Sequence, residues 1–237
     1  MAINLEKKVE QAKLVLSKKS DNREIRCEAG VMLDCSGSLE WAYRDGIIQD
    51  VTENVLAVAM NIDNDQKIDT WVFDDEARYV GEATPTNIEN YVNTKVKAKC
   101  KWRGTNYAPA LIAITEKFLP VTLTTYILKP GFFNKLFRRK EAIATTTGGT
   151  DLPVIVFFFT DGDCYDETEA SREIIKLKDT NIFIQFIGIG PGSFTLLKRF
   201  ARENVNIGYV DLNSLSTLTD EDFMNTVISD KFVSWAK

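Results

Sequence analysis

The segment Val154–Phe159 constrains the fold most, because it is an unbroken run of apolar residues. It lacks the alternation of polar and apolar residues that a half-exposed strand shows. Only a strand that is covered on both faces tolerates this composition, since neither face meets water. The run ends at Thr160-Asp161-Gly162, so the predicted buried strand is followed directly by a carboxylate.

Other predicted strands and helices alternate along the chain. Short apolar runs predict strands at Gly30–Asp34, Ile182–Ile189 and Ile207–Val210. Helical spacing of apolar residues occurs in the region after Pro109 and at Ile47–Met60, Glu167–Lys178, Phe194–Arg202 and Asp220–Ile228. This alternation predicts a doubly wound α/β fold with a mostly parallel central sheet and helices on both faces.

The remaining segments predict the edges of the fold. Thr70–Phe73 and Ala77–Val80 resemble a hairpin, which adds one antiparallel edge strand. The segment Glu6–Ser20 fits either an amphipathic helix or an edge segment, and Asn87–Val96 favours a short helix. We expect one domain over residues 1–237, with residues 1–24 as an N-terminal extension. Residues 120–153 are long for a connection and are interpreted as an insertion.

Composition excludes several classes of function. The net charge of −5 argues against a nucleic-acid partner. No apolar stretch is long enough to span a membrane, and the N-terminus lacks the apolar core of a signal peptide. The four cysteines follow no regular framework, which indicates reduced thiols and a cytoplasmic location. The chain has no histidine, so it lacks the commonest general acid/base and the commonest transition-metal ligand.

Three segments carry hydroxyl and carboxylate side chains at predicted strand or helix ends. The string Asp34-Cys35-Ser36-Gly37-Ser38 follows the first buried strand, and Gly37 is expected to let this loop turn tightly. Thr105 precedes a helix, and Asp161 follows the most apolar strand. In a doubly wound sheet, ligands bind beyond the carboxyl ends of the strands. We therefore expect a shared site made of Asp34, Ser36, Ser38, Thr105 and Asp161.

All five side chains of this predicted site offer oxygen. Oxygen ligands of low total charge suit Mg²⁺ first, with Mn²⁺ as a substitute and Ca²⁺ as a further candidate. Two carboxylates at most balance the charge of such a cation. A coordination position left to water would then attract a carboxylate from outside. The expected partner is a protein that supplies a Glu or Asp side chain to the metal.

The five residues, in this order and context, resemble the metal-ion-dependent adhesion site of von Willebrand factor A domains. The resemblance covers roughly residues 26–230. It implies that Ser36, Ser38 and Thr105 are hydroxyl ligands and that Asp34 and Asp161 act directly or through water. The Gly104–Ala110 loop and the Trp71–Asp74 strand end are similar to intracellular bacterial domains of the tellurium-resistance (TerF/TerY-like) type. The long 120–153 connection departs from that pattern.

The resemblance implies a Mg²⁺-dependent protein-binding module in a toxic-cation stress response, and not an enzyme. Two alternatives stay open: a metal-dependent phosphohydrolase, and a subunit of an assembly with an AAA-type ATPase. Cys35 is interpreted as a passive thiol, because no histidine is present to act as its base. The basic and aromatic segment Phe132–Lys140 fits either a docking tip or an insertion packed on the domain. The oligomeric state is left open.

Overall fold

A six-stranded sheet forms the centre of the protein, with strand order β3-β2-β1-β6-β7-β8. The computed structural model describes residues 2–129, 139–212 and 218–237, and the side chains of residues 4–120, 148–212 and 218–237. The strands of this sheet are β1 (Glu28–Asp34), β2 (Ile68–Phe73), β3 (Ala77–Ala83), β6 (Val154–Thr160), β7 (Ile182–Ile189) and β8 (Ile207–Leu212). A separate two-stranded ribbon contains β4 (Val121–Lys129) and β5 (Arg139–Thr147).

Eight α-helices flank these strands in the described part of the chain. They are α1 (Ala2–Ser20), α2 (Glu40–Arg44), α3 (Ile47–Ile62), α4 (Tyr107–Phe118), α5 (Glu167–Leu177), α6 (Thr195–Glu203), α7 (Asp220–Val227) and α8 (Asp230–Trp235). Every neighbouring strand pair of the large sheet is parallel except β2 and β3. The predicted doubly wound α/β fold with one antiparallel edge strand is therefore confirmed.

The central position of β6 in the sheet explains why its sequence is apolar throughout. Ile155, Phe157 and Phe159 belong to the core on the side of α1, α3 and α7. The alternate residues Val156 and Phe158 belong to the core on the side of α4, α5 and α6. Since successive side chains of a strand point to opposite faces, a strand between two helical layers buries all of them.

Parallel pairing brings the carboxyl ends of the central strands to the same edge of the sheet. In the parallel ladder β1–β2, Asp34 lies opposite Phe73, and in the ladder β1–β6, Leu33 lies opposite Phe159. Asp34 and Thr160 are thus one position further along adjacent strands. The loops that follow β1 and β6 must leave the sheet side by side.

Two elements of the predicted outline differ in detail. The segment Glu6–Ser20 lies within a helix, α1, rather than in an edge strand. Asn87–Val96 is only partly helical, because a π-helical turn covers Val92–Val96 and a 3-10 turn follows at Lys97–Lys99. The predicted short helix was therefore placed too early in the chain. Local spacing of apolar residues cannot distinguish a regular helix from such tight and wide turns.

The long connection at residues 120–153 contains the β4–β5 ribbon, which the sequence analysis did not predict. Its antiparallel register runs from Val121 opposite Thr147 to Lys129 opposite Arg139. The ribbon is rich in threonine, which is typical of strands, but it lacks the long apolar run that marks a central strand. Most of the predicted segment Phe132–Lys140 lies outside the described residues. No helix in the described ranges is long and apolar enough to cross a membrane.

Helix α1 is held against α3 and α7 by a buried ammonium group. Lys8 is only 1% exposed and pairs with Asp50. Its Nζ atom also lies 3.4 Å from a Glu53 carboxylate oxygen and 3.6 Å from a carboxylate oxygen of Asp220. One lysine of α1 therefore compensates acids from two other helices, which fixes the N-terminal segment on this face of the domain.

Lys8→Met is expected to lower the free energy of unfolding by about 1–3 kcal/mol, because three acids lose their common counter-charge. The acids are partly exposed, so the loss stays below that of a fully buried pair. Lys7→Met, at an exposed position of the same helix, should change stability by less than about 0.5 kcal/mol. Urea unfolding of both variants measures this difference, and equal stabilities would contradict it.

Candidate metal centre

Asp34 is the most deeply buried acid of the predicted site, with 1% of its surface exposed. It is the last residue of β1, and its carboxylate is fixed by two donors. Oδ1 accepts a hydrogen bond from the backbone amide of Ser36 at 2.7 Å. Oδ2 accepts one from the Thr160 hydroxyl at 2.7 Å. The carboxylate of the first site loop is thus tied to the end of the neighbouring strand β6.

The two serines join Asp34 to Asp161 through hydrogen bonds. The Ser36 and Ser38 hydroxyl oxygens are 3.1 Å apart. The Ser38 hydroxyl donates to Oδ1 of Asp161 at 3.0 Å. Four of the five predicted site residues are therefore connected by hydrogen bonds at the carboxyl edge of the sheet, through the Ser36 amide and the two serine hydroxyls.

Thr105 lies on the loop that passes beside the first site loop. The carbonyl of Arg103 faces the Gly37 amide, with a distance of 3.4 Å between oxygen and nitrogen. The carbonyl of Thr105 accepts a hydrogen bond from the Tyr165 amide at 3.0 Å, which links this loop to the loop after β6. Thr105 is buried. Its carbonyl is tied to the loop after β6, whereas its hydroxyl makes no hydrogen bond within the described residues.

The expected reason for Gly37 was wrong. A Cβ atom at this position would lie 3.6 Å from the Trp102 carbonyl oxygen, which is an ordinary contact. Gly37 also does not have the positive φ that favours glycine. It begins a short 3-10 helix, Gly37–Leu39, that any small residue could form. The tight path of the loop comes from this helical turn instead.

Three further residues position the site and were missed by the sequence analysis. Thr160 holds Asp34 as described above, and its only sequence signal is its place before Asp161. The buried Tyr43 hydroxyl donates to the Asp34 carbonyl at 2.8 Å. Asp166 accepts hydrogen bonds from the backbone amides of Tyr107 and Ala108, both at 2.8 Å. Asp166 directly precedes α5 in the chain, but its side chain caps the N-terminus of α4.

The electrostatics of the two site acids favour a cation. Burial raises the pKa of Asp34 to about 6, although hydrogen bonds from Ser36 and Thr160 oppose the shift and the charge of Asp161 adds to it. Burial also raises the pKa of Asp161, against the hydrogen bond from Ser38. Both negative charges are therefore costly in the metal-free protein. A bound divalent cation would compensate them.

The donor set fits a hard cation. Asp34 and Asp161 supply carboxylates and Ser36 and Ser38 supply hydroxyls within one hydrogen-bonded chain, with Thr105 on the adjoining loop. Within the part of the chain that the structure describes, no group of three or more His, Cys, Asp or Glu side chains gathers around one point. A cluster rich in hydroxyls and poor in charge suits Mg²⁺ or Mn²⁺ better than a soft transition metal.

The parallel sheet, its single antiparallel edge and the hydroxyl-rich loops at its carboxyl edge are those of a von Willebrand factor A domain. The chain belongs to the vWA-TerF-like family, the von Willebrand factor A domain found at the C terminus of TerF, whose model matches residues 26–237. The match begins after helix α1. The family places the chain among metal-dependent adhesion and protein-interaction domains.

Individual relatives are distant in sequence. The uncharacterized protein YcbR of Bacillus subtilis (strain 168) is 24% identical over 243 residues, which cover 99% of this chain and 86% of YcbR. Proximal thread matrix protein 1 from the mussel byssus superimposes with a TM-score of 0.59 at 17% identity, covering 87% of this chain and 48% of that protein.

A second structure of the mussel protein has a zinc-occupied metal-ion-dependent adhesion site. It superimposes with a TM-score of 0.52 at 16% identity, covering 85% of this chain and 46% of that protein. The chain therefore spans about half the length of these solved structures, and the likeness shows a shared fold.

Asp166→Ala is expected to lower the free energy of unfolding by about 1–2 kcal/mol, because the first turn of α4 loses its two acceptor bonds. Asp163→Ala removes an exposed acid from the same loop and should be nearly neutral. Denaturant unfolding distinguishes the two variants, and equal losses would show that Asp166 does not act as a cap.

The buried carboxyl of Asp34 predicts a pH-dependent stability in the absence of metal. Its pKa of about 6 lies above the ordinary 3.8, so the native state holds this proton more tightly than the unfolded chain. This contribution favours folding below about pH 4 and is lost as pH rises through about 6. The difference corresponds to about 3 kcal/mol in total.

Asp34→Asn, which keeps the shape without the charge, should remove this dependence. In EDTA, the stability of the variant relative to the natural protein is expected to increase by about 2.5 kcal/mol between pH 4 and pH 7. Chemical unfolding at several pH values measures the difference. A constant difference across that range would mean that Asp34 ionises without cost.

Proposed function

We propose that this chain is a Mg²⁺-dependent protein-binding module that recognises an acidic side chain of a partner protein. Asp34, Ser36, Ser38, Thr105 and Asp161 would hold the cation, and Mn²⁺ or Ca²⁺ could replace it. The two site acids would at most balance the charge of the metal, and a coordination position left to water would stay open. A carboxylate from outside can then complete the coordination.

The hydrogen-bonded chain from Asp34 through Ser36 and Ser38 to Asp161 carries this proposal. It joins loops that are far apart in sequence, and all four of its side chains carry oxygen atoms that can bind a cation. Without a cation, Ser38 uses its proton to bond the Asp161 carboxylate. The Ser38 hydroxyl and the Asp161 carboxylate therefore bond to each other, as two groups that would share a bound cation are expected to do when the cation is absent.

The surroundings of the site support a protein as partner. Tyr165 is 84% exposed, and its ring lies over Gly104, where an added Cβ would come within 3.2 Å of the ring. Trp41, on α2 just after the first site loop, is 40% exposed. Large aromatic side chains held at the surface beside a polar centre are enriched in protein interfaces.

The cellular setting is a further part of the proposal. Tellurium resistance is suggested by the family name, and we place the module in a toxic-cation stress response of the cytoplasm. All four cysteines are free, which fits a reducing compartment. Deletion of the gene should then lower survival on tellurite, and expression of the Asp34→Ala variant should fail to restore it.

Metal binding should stabilise the native state. At about one hundred times the dissociation constant, Mg²⁺ or Mn²⁺ contributes about 2.7 kcal/mol, which raises the melting temperature by roughly 5–10 °C in a domain of this size. Asp34→Ala and Ser38→Ala should abolish this increase, and Asp163→Ala should retain it. Thermal unfolding with and without EDTA measures the effect. A melting temperature independent of millimolar metal in the natural protein would refute the metal site.

Partner capture should depend on the same residues. In pull-downs from the native host, binding is expected in Mg²⁺, to be lost in EDTA, and to be lost in the Asp34→Ala variant. Replacement of a partner Glu or Asp by its amide should then remove binding to the natural chain. A partner that is retained by Asp34→Ala in EDTA would place the interface elsewhere.

A further inference from the structure

A run of basic residues leads along the chain to Thr105 and faces the solvent. We call these five residues the basic strip: Lys95, Lys97, Lys99, Lys101 and Arg103. Lys97 is partly exposed and the other four are exposed, and no acid occurs in the sequence between Glu89 and Glu116. Within the part of the chain whose side chains are described, the four lysines form no ion pair. The basic strip is therefore a local concentration of positive charge in a chain whose net charge is −5.

The residues between these cations anchor the basic strip in the core. Val96 is completely buried, Cys100 is 8% exposed, and Trp102 packs against the same core. The Arg78 guanidinium donates to the carbonyl of Lys99 at 2.7 Å, which fixes the backbone in the middle of the strip. Trp102 has a φ of 58°, a left-handed conformation that a bulky side chain keeps only where its surroundings hold it. The backbone of the strip is thus held by packing, and its charged side chains point to the solvent.

The basic strip is also fixed to the candidate metal centre. The Trp102 ring lies edge-on to the Tyr43 ring, with 5.1 Å between the ring centroids and an angle of 83° between the planes. The Tyr43 hydroxyl holds the Asp34 carbonyl. At the end of the strip, the Arg103 carbonyl faces the Gly37 amide of the first site loop. The positive charges therefore continue directly from the site that would hold the cation.

We propose that the basic strip binds an acidic segment of the same partner protein whose carboxylate reaches the metal. The partner is then recognised by a cluster of Asp and Glu residues rather than by a single acid, and this inference rests on the proposed function. The ten steps from Lys95 to Thr105 span at most about 35 Å, and the turns over residues 92–99 shorten this distance. An extended acidic segment of about ten residues can therefore contact both the strip and the metal.

The acids beside the basic strip favour a polypeptide over a nucleic acid as its ligand. The Arg103 guanidinium lies 3.4 Å from a carboxylate oxygen of Asp75 and 3.6 Å from one of Glu76. A nucleic-acid backbone carries its negative charges at regular intervals, so it would be repelled where these acids border the strip. A polypeptide can place neutral residues at that point. Complementary charge of this kind steers association and selects among partners.

Fluorescence anisotropy with a labelled decaglutamate peptide tests the proposal on the full-length protein in millimolar Mg²⁺. Two triple variants each replace three exposed lysines by glutamine. The strip variant is Lys95→Gln/Lys99→Gln/Lys101→Gln, and the matched α1 variant is Lys7→Gln/Lys13→Gln/Lys18→Gln. One exposed ion pair commonly changes an equilibrium constant about two- to threefold, so the strip variant should bind the peptide about tenfold more weakly. The α1 variant should bind it within about twofold of the natural protein.

Equal affinities of the strip variant and the α1 variant would overturn the proposal. Both variants should keep the natural melting temperature, because the replaced side chains are exposed. Each single substitution in the strip should weaken binding about two- to threefold, which provides the same test if the triple variant does not fold. Displacement of the peptide by an equal concentration of a short duplex DNA at physiological salt would overturn the assignment to an acidic protein.

Titration in EDTA separates the basic strip from the metal site. The natural protein should bind decaglutamate more weakly in EDTA than in Mg²⁺, and the strip variant should keep this dependence. Equal binding by the natural protein in Mg²⁺ and EDTA would overturn the proposed function, and with it the joint recognition. Mg²⁺-dependent binding that is lost in Asp34→Ala but is as tight in the strip variant as in the α1 variant would overturn the strip alone.

Discussion

Burial of the Asp34 carboxylate at the end of β1 is the constraint on which the rest of the site depends. β1 lies between β2 and β6, so its last residue meets protein on both sides. The Ser36 amide and the Thr160 hydroxyl stabilise the charge only in part, because burial still raises the pKa of Asp34 to about 6. A cation at this edge would therefore remove an existing cost as well as recruit a ligand.

The loops around Asp34 are held by the fold. Tyr43 fixes the Asp34 carbonyl, Asp166 fixes the start of α4, and the Tyr165 amide fixes the carbonyl of Thr105. These bonds connect loops from three parts of the chain before any cation binds. Such preorganisation lowers the cost of ordering side chains when a metal or partner arrives.

The sequence predicted the fold well where burial alone decides the pattern. The unbroken apolar run of β6 required a strand between two helical layers, and the structure has that strand at the centre of the sheet. It was less informative where packing is local. The segment of the β4–β5 ribbon was interpreted only as a long inserted connection, and the Val92–Val96 turn was taken for part of a short helix. Neither segment carries a long periodic signal.

The candidate site, like the fold, could be predicted from the sequence only in part. The sequence by itself determined which oxygen-bearing side chains follow the buried strands, because strand ends and their polar residues are adjacent along the chain. Only the tertiary structure decided that Thr160 holds the Asp34 carboxylate, that Asp166 caps α4, and that Tyr43 holds the Asp34 carbonyl. These contacts join residues that are not adjacent in sequence. Their partners are chosen by the register of parallel strands and the packing of loops, which no local pattern records.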